Sequence, residues 1–205
     1  MKMTGLYRFA LFVLTPIFKI LYGYKIIGRE NLPKTGAVLI CSNHTGYKDC
    51  IFMGLANKRQ VWFMAKKELF QKKFFGKLIS KLGAFPVERS GGISAIKRGI
   101  YILKKDGAVG IFIEGTRSKT GELLKPKPGV TLLAYETKAA IVPMAIIGEN
   151  GKPPKLFNRA VINIGKPIAF EELEMTEISG TEMRRASRKI IERISELRMQ
   201  AITRK

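Results

Sequence analysis

Histidine, cysteine and acidic side chains are scarce in this chain of 205 residues: one His, two Cys, and 16 Asp and Glu against 37 Lys and Arg. Two cysteines, Cys41 and Cys50, cannot build a disulfide framework, and a reducing compartment suits them. Each borders an apolar run, so both read as small buried hydrophobes; a reactive thiol beside His44 is the minor alternative. A single histidine without clustered carboxylates offers no metal site, and no glycine-rich nucleotide loop is present, so neither a metal nor a resident cofactor is expected. Linkers, low-complexity runs and internal repeats are also lacking. The chain therefore reads as one domain, residues 25–205, preceded by an appendage, residues 1–24.

What is abundant is positive charge, a formal +21. It predicts a polyanionic partner: nucleic acid, an anionic lipid surface or an acidic carrier protein. A nucleic-acid-binding protein is the rival reading from charge alone. The basic residues are spread through the chain without a zinc-finger pattern or an RNP-like aromatic strand, so no nucleic acid is expected.

Arg8 and Lys19 confine the uncharged N-terminal stretch to Phe9 through Phe18, about half of the roughly 20 residues a spanning helix needs. Arg8 and the lack of a small-x-small cleavage site also argue against a signal peptide. On a helical wheel Thr4, Arg8, Thr15, Lys19 and Tyr22 share one narrow side and most other positions are large and apolar, with Pro16 expected to kink the helix. That pattern predicts a helix lying in a membrane interface; the alternative is a helix packed on its own domain.

Downstream, short apolar runs at 24–28, 37–41, 61–65, 108–113 and 141–147 alternate with stretches of helical spacing such as Gly92 to Lys105 and Gly129 to Lys138. The alternation predicts an α/β fold with a largely parallel central sheet flanked by helices. Runs 37–41 and 108–113 suit strands buried on both faces. A last helix from about Thr181 would bury Met183, Ala186, Ile190, Ile194, Leu197 and Ala201, with Arg184, Arg185, Arg188, Lys189 and Arg198 on a solvated back. Sites in such sheets gather past the carboxyl ends of strands.

His44 stands directly after the 37–41 run, in Ser42, Asn43, His44, Thr45, Gly46, Tyr47, Lys48, Asp49. On one helix His44 and Asp49 would point about 140° apart. A turn at Thr45 and Gly46 leading into a helix near Asp49 would instead bring carboxylate to imidazole, fix its tautomer and leave the other nitrogen to take a proton from a hydroxyl.

The segment Asn43 to Asp49 resembles the N-H-x-x-x-x-D signature of the glycerolipid acyltransferases. Three further blocks come after it in that family's order: Gly83 to Arg89, Phe112 to Ser118, and Ile141 to Pro143; Ala65 to Leu69 also resembles a family element. The third block has Ile113 where the family often has Pro, and the second has Glu88 where it often has Asp. The resemblance covers most of the chain after Tyr24. It implies a catalytic domain over 25–205 that transfers an acyl group from an acyl thioester, carried by acyl carrier protein or coenzyme A, to the sn-2 hydroxyl of lysophosphatidate.

In that reading His44, poised by Asp49, is the base, and no acyl-enzyme forms. Lys66, Arg89, Glu114, Gly115, Thr116 and Arg117 bind substrate, with Arg117 as a planar fork for phosphate. Arg117 and Arg89 have a plainer reading as surface partners of Glu114 and Glu88, Lys67 could replace Lys66, and the alternative for Glu114 is to orient Arg117 or a backbone turn instead of touching substrate. Backbone N–H groups of the His44 or the 114–116 turn would face the developing oxyanion. The enzyme is expected as a peripheral, monotopic protein on the cytoplasmic face of an anionic membrane. Within the family the alternative acceptors are glycerol 3-phosphate or another lysolipid. The short chain, without a large N-terminal helical domain, favours lysophosphatidate, and the presence of both His44 and Asp49 argues against an inactive homologue.

Overall fold

The computed structural model describes residues 1–87 and 92–203. Its centre is a seven-stranded sheet in the order β1-β7-β6-β2-β5-β3-β4. The strands are β1 (Lys25–Ile27), β2 (Val38–Ser42), β3 (Val61–Lys66), β4 (Ala84–Val87), β5 (Ala108–Phe112), β6 (Ala140–Ile147) and β7 (Val161–Ile164). All neighbouring pairs are parallel except β6 and β7, which are antiparallel. The expected largely parallel sheet is present, and the five apolar runs form β1, β2, β3, β5 and β6.

Every residue of β2 is buried, as a central strand covered on both faces requires. β5 is buried only over Ala108 to Gly110; Ile111 and Phe112 are half-buried where the strand approaches the site. Pro143 lies inside β6, where a missing N–H is normally costly. Ile141 exchanges both backbone bonds with Ile168 on the β7 side, and residue 143 faces the same way. There its carbonyl accepts from Gly165, and the antiparallel ladder has already ended at Met144 with Ile164. The absent donor therefore falls outside the ladder.

One face of the sheet is covered by α1 (Gly5–Tyr22) and α2 (Asp49–Ala56), the other by α4 (Ile93–Lys104), α5 (Gly129–Thr137) and α6 (Gly180–Thr203). α3 (Lys73–Lys81) joins β3 to the edge strand β4. Helix α1 starts at Thr4, whose side chain accepts from the Tyr7 N–H, and stops at Gly23 in the left-handed region. Tyr7, Phe18 and Tyr22 are buried, and Leu11 and Leu14 pack beside them. These positions recur every three or four residues and make one inward face.

The inward face ends in an aromatic cluster, with Phe18 and Tyr22 each 5.2 Å from the Phe52 ring of α2. Tyr22 thus belongs to the core, not to the polar stripe where the wheel put it. Four residues after Phe18, it stands where the inward face and the polar stripe meet, and its ring turns toward α2. The other side of α1 stays apolar and open, with Phe9 63%, Phe12 78% and Ile20 76% exposed. The helix therefore packs on its own domain and still presents a second hydrophobic face.

Candidate active site

The chain leaves β2 at Ser42, and Asn43 fixes its direction beyond the strand. The Asn43 side chain accepts from the Ile146 N–H at 2.8 Å and donates to the Ile146 carbonyl at 2.9 Å, tying the exit of β2 to β6. Such a buried amide, 2% exposed and bonded at both ends, leaves little freedom to the next residue. That residue is His44. Its ring stacks on Phe112 at the end of β5, with centroids 3.9 Å apart and planes 10° from parallel.

The turn over Thr45 to Lys48 leads into α2, whose first residue is Asp49, with the Asp49 N–H donating to the Gly46 carbonyl at 3.2 Å. This reversal brings the Asp49 carboxylate back to His44, with Nδ1 3.0 Å from Oδ2. The same oxygen accepts the N–H groups of Thr45 at 2.5 Å and Gly46 at 2.8 Å. Asp49 is fully buried, so those donors and the imidazole are what compensate its desolvation. A carboxylate can only accept, so Nδ1 carries the proton and Nε2 presents a lone pair. The geometry expected from the spacing is present.

A second loop, after β5, locks onto the first. Glu114 accepts the His44 N–H at 2.7 Å through one oxygen and the Leu124 N–H at 2.9 Å through the other. The Ser118 N–H donates to the His44 carbonyl at 2.8 Å. Burial pushes the Glu114 carboxyl above the usual range; the bonds from His44 and Leu124 and the charge of Arg198 pull the other way. Ile113 donates its N–H to the Ser42 carbonyl, a bond that Pro could not make. Gly115 has φ of 66°, and a Cβ there would meet the Lys127 side chain at 3.0 Å.

Gly115, Thr116 and Arg117 are exposed at the rim, with the Arg117 guanidinium 4.2 Å from the Tyr47 ring centre. His44, Asp49, Glu114, Gly115, Thr116 and Arg117 thus occupy two interlocked loops at one edge of the sheet. Lys66 ends β3 at that same edge, exposed and separated from β2 by β5. Arg89, with Glu88, lies outside the described residues. Among the described residues no group of three His, Cys, Asp or Glu side chains is placed to hold a metal ion.

Sequence reasoning missed four contributors. Phe112 and Tyr47 supply the rings beside His44 and Arg117. Lys127 lays its side chain over Gly115, and the only signal was its place in a Lys-Pro-Lys-Pro-Gly loop. Arg198, expected on the solvated back of the last helix, is only 9% exposed, and its Nη2 reaches the Gly151 carbonyl at 3.4 Å. It belongs to the inner side of α6, where its charge reaches Glu114. The two cysteines are unsuited to nucleophilic work: burial pushes the Cys50 thiol up to about 12 and that of Cys41 higher still.

The doubly covered, mostly parallel sheet thus brings the Asn43 to Asp49 and Phe112 to Ser118 blocks together at the carboxyl ends of β2 and β5. A family model described as Acyltransferase matches residues 23–147. The chain is 39% identical over 168 residues to a Bacillus subtilis protein named 1-acyl-sn-glycerol-3-phosphate acyltransferase, covering 80% of this chain and 82% of that one. A Streptococcus pneumoniae protein of the same name is 33% identical over 148 residues, 70% of this chain and 54% of its own. The fold is similar to the crystal structure of a 1-acyl-sn-glycerophosphate acyltransferase from Thermotoga maritima, with a TM-score of 0.75 at 22% identity, over 98% of this chain and 79% of the other. The chain belongs to the 1-acyl-sn-glycerol-3-phosphate acyltransferase family.

Proposed function

We propose that the chain transfers an acyl group from a thioester to the sn-2 hydroxyl of lysophosphatidate, giving phosphatidate, at the surface of an anionic membrane. The observation that carries the mechanism is the His44–Asp49 contact at 3.0 Å, with the shared oxygen pinned by two backbone N–H groups. Nε2 of His44 takes the hydroxyl proton while the substrate oxygen attacks the thioester carbonyl. Collapse of the tetrahedral intermediate breaks the C–S bond, and the leaving thiolate receives the proton from the imidazolium. The nucleophile is the substrate itself, so no covalent enzyme intermediate enters and the balance needs no cofactor beyond the thioester.

The oxyanion requires donors that are not already engaged. The N–H groups of His44, Thr45 and Gly46 serve the two carboxylates, and that of Gly115 serves Phe112. The Thr116 and Arg117 side of the second loop is left to face the developing charge. Arg117, beside the Tyr47 ring, grips the acceptor phosphate with Lys127 close by; Lys66 and Arg89 act farther along the same edge. The donor is acyl carrier protein or coenzyme A thioester, both of which a +21 protein attracts.

Residues 1–24 form the membrane-interface segment. Helix α1 is long and apolar enough to cross a membrane by length and composition, but it carries Arg8 and Lys19 and is fastened to the domain along one side. Lying flat with Phe9, Phe12 and Ile20 in the bilayer suits it better than spanning. The enzyme is then peripheral, on the cytoplasmic face where thioester donors are made. The test is acyl transfer in vesicles with lysophosphatidate and with glycerol 3-phosphate, by the native protein and His44→Ala. Equal turnover by both proteins would refute the mechanism, and preference for glycerol 3-phosphate would refute the acceptor.

A further inference from the structure

The connection from β6 to β7, residues 148–160, leaves Ile147 and returns at Val161, which pair with each other. β6 runs parallel to β2, so this connection emerges at the edge of the sheet that carries His44. Its tip is apolar and open: Leu156 is 54% and Phe157 78% exposed. Phe157 has φ of 62°, a conformation bulky side chains rarely adopt, so the ring is held outward at some cost without core packing to account for it.

The tip is fastened to α1. The Phe157 N–H donates to the Leu21 carbonyl at 2.6 Å and the Ala160 N–H to the Tyr22 carbonyl at 2.9 Å. One turn back in α1 stand Ile17 and Ile20, both exposed. On the other side of that same last turn, Lys48 of the catalytic loop lies 5.5 Å from the Tyr22 ring centre. The apolar tip, the free face of α1 and the His44 loop are therefore neighbours around one helix end.

We propose that Leu156 and Phe157 form a second membrane-insertion point, which acts with α1 to seat the His44 edge against an anionic bilayer; this rests on the membrane reading of α1. Charge argues for lipid over an apolar protein partner. Lys152, Lys155 and Arg159 surround the tip, all exposed, with Lys19 and Lys25 at the adjoining helix end and Glu149 the one acid in the connection. An aromatic and a leucine ringed by cations suit the headgroup boundary of an anionic leaflet. Two insertion points also fix orientation: a helix alone can roll about its axis, whereas a helix and a tip hold the mouth at headgroup depth. Lysophosphatidate then keeps its chain in the leaflet while its hydroxyl reaches Nε2.

The test uses the full chain with vesicles of phosphatidylcholine, with and without phosphatidylglycerol. In a Trp62→Phe background, Phe157→Trp gives a single reporter whose emission should shift to the blue on anionic vesicles and be quenched by lipids brominated near the headgroup. Leu156→Ser combined with Phe157→Asn, Asn being a residue that tolerates the left-handed backbone, should weaken vesicle affinity by about ten-fold or more with an unchanged thermal transition. Unshifted emission and native affinity, together with loss of binding by Phe12→Ser/Ile20→Ser, would overturn the tip while leaving α1 as the anchor. Native binding by the α1 variant would instead remove the membrane reading of the helix. A blue shift that tracks protein concentration without vesicles would make the occupant a second copy and overturn the proposal.

Discussion

Replacing Asp49 by Asn separates the charge of this carboxylate from its geometry. In many His–Asp pairs an amide rotates and forces the imidazole into the wrong tautomer. Here Oδ2 accepts Thr45 N–H, Gly46 N–H and His44 Nδ1 together. Only an oxygen satisfies those donors, so the Asn oxygen must take that place and its NH₂ the place of Oδ1, near the Thr45 hydroxyl at 3.4 Å. The tautomer survives and only the negative charge is lost. At about 4 Å between charge centres and an effective dielectric of about 20, the imidazolium loses about 4 kcal/mol of stabilisation as an upper figure. The expected fall in kcat is therefore about 10²–10³-fold. Asp49→Ala also strands two half-buried N–H groups and frees the ring, and should fall about ten-fold further. Thiol release from an acyl thioester, with lysophosphatidate in mixed micelles, measures both. A loss under about three-fold for Asn, or equal losses for Asn and Ala, would refute the reasoning.

Burial raises the Glu114 carboxyl, so the folded protein takes up this proton more readily than the unfolded chain, and the associated stability is lost as pH rises through the raised value. Glu114→Gln lacks that component, and the melting-temperature advantage of the native protein over it should grow between neutral pH and about pH 5; a constant difference would count against it. Arg198→Met should destabilise the protein by about 1–3 kcal/mol and disturb activity through Glu114, whereas Arg198→Lys restores part of both. Arg117→Lys keeps the charge but loses the planar fork and the stacking on Tyr47, so KM for lysophosphatidate should rise by about ten-fold with a much smaller change in kcat. Neither cysteine should react with iodoacetamide in the native state, since burial keeps both thiols protonated, and both should react in denaturant.

β2, β3, β5 and β6 were legible as apolar runs of five residues or more, with Pro143 inside the last, whereas β1 rests on a shorter run. The two missed strands lack that signature for different reasons. β4 contains Pro86, which an edge strand tolerates because one of its sides needs no partner. β7 has only four residues, Val161–Ile164, and includes Asn163, whose amide is buried because it donates to the Leu197 carbonyl of α6. A polar residue made suitable for the core by one distant carbonyl cannot be distinguished locally from a loop residue. Arg198 shows the same limit, since a helical wheel sorts residues by polarity and a buried charge defies that sorting.

The site was legible at a different level. The turn at Thr45 and Gly46 before Asp49 allowed the carboxylate to fold back, and the block order identified which residues belong together. What no spacing contained is that the two loops form one mechanical unit. Glu114 holds the His44 N–H and Ser118 holds the His44 carbonyl, so both ends of the histidine's backbone are clamped by the loop that carries Arg117. In the proposed mechanism a phosphate held by Arg117 would load the segment that positions the imidazole. Under the proposed mechanism, loosening Glu114 would release the base and the phosphate grip together. Glu114 thus owes its place in the Glu-Gly-Thr-Arg block to the backbone of His44, although a carboxylate three residues before Arg117 has, on spacing alone, the look of a substrate contact.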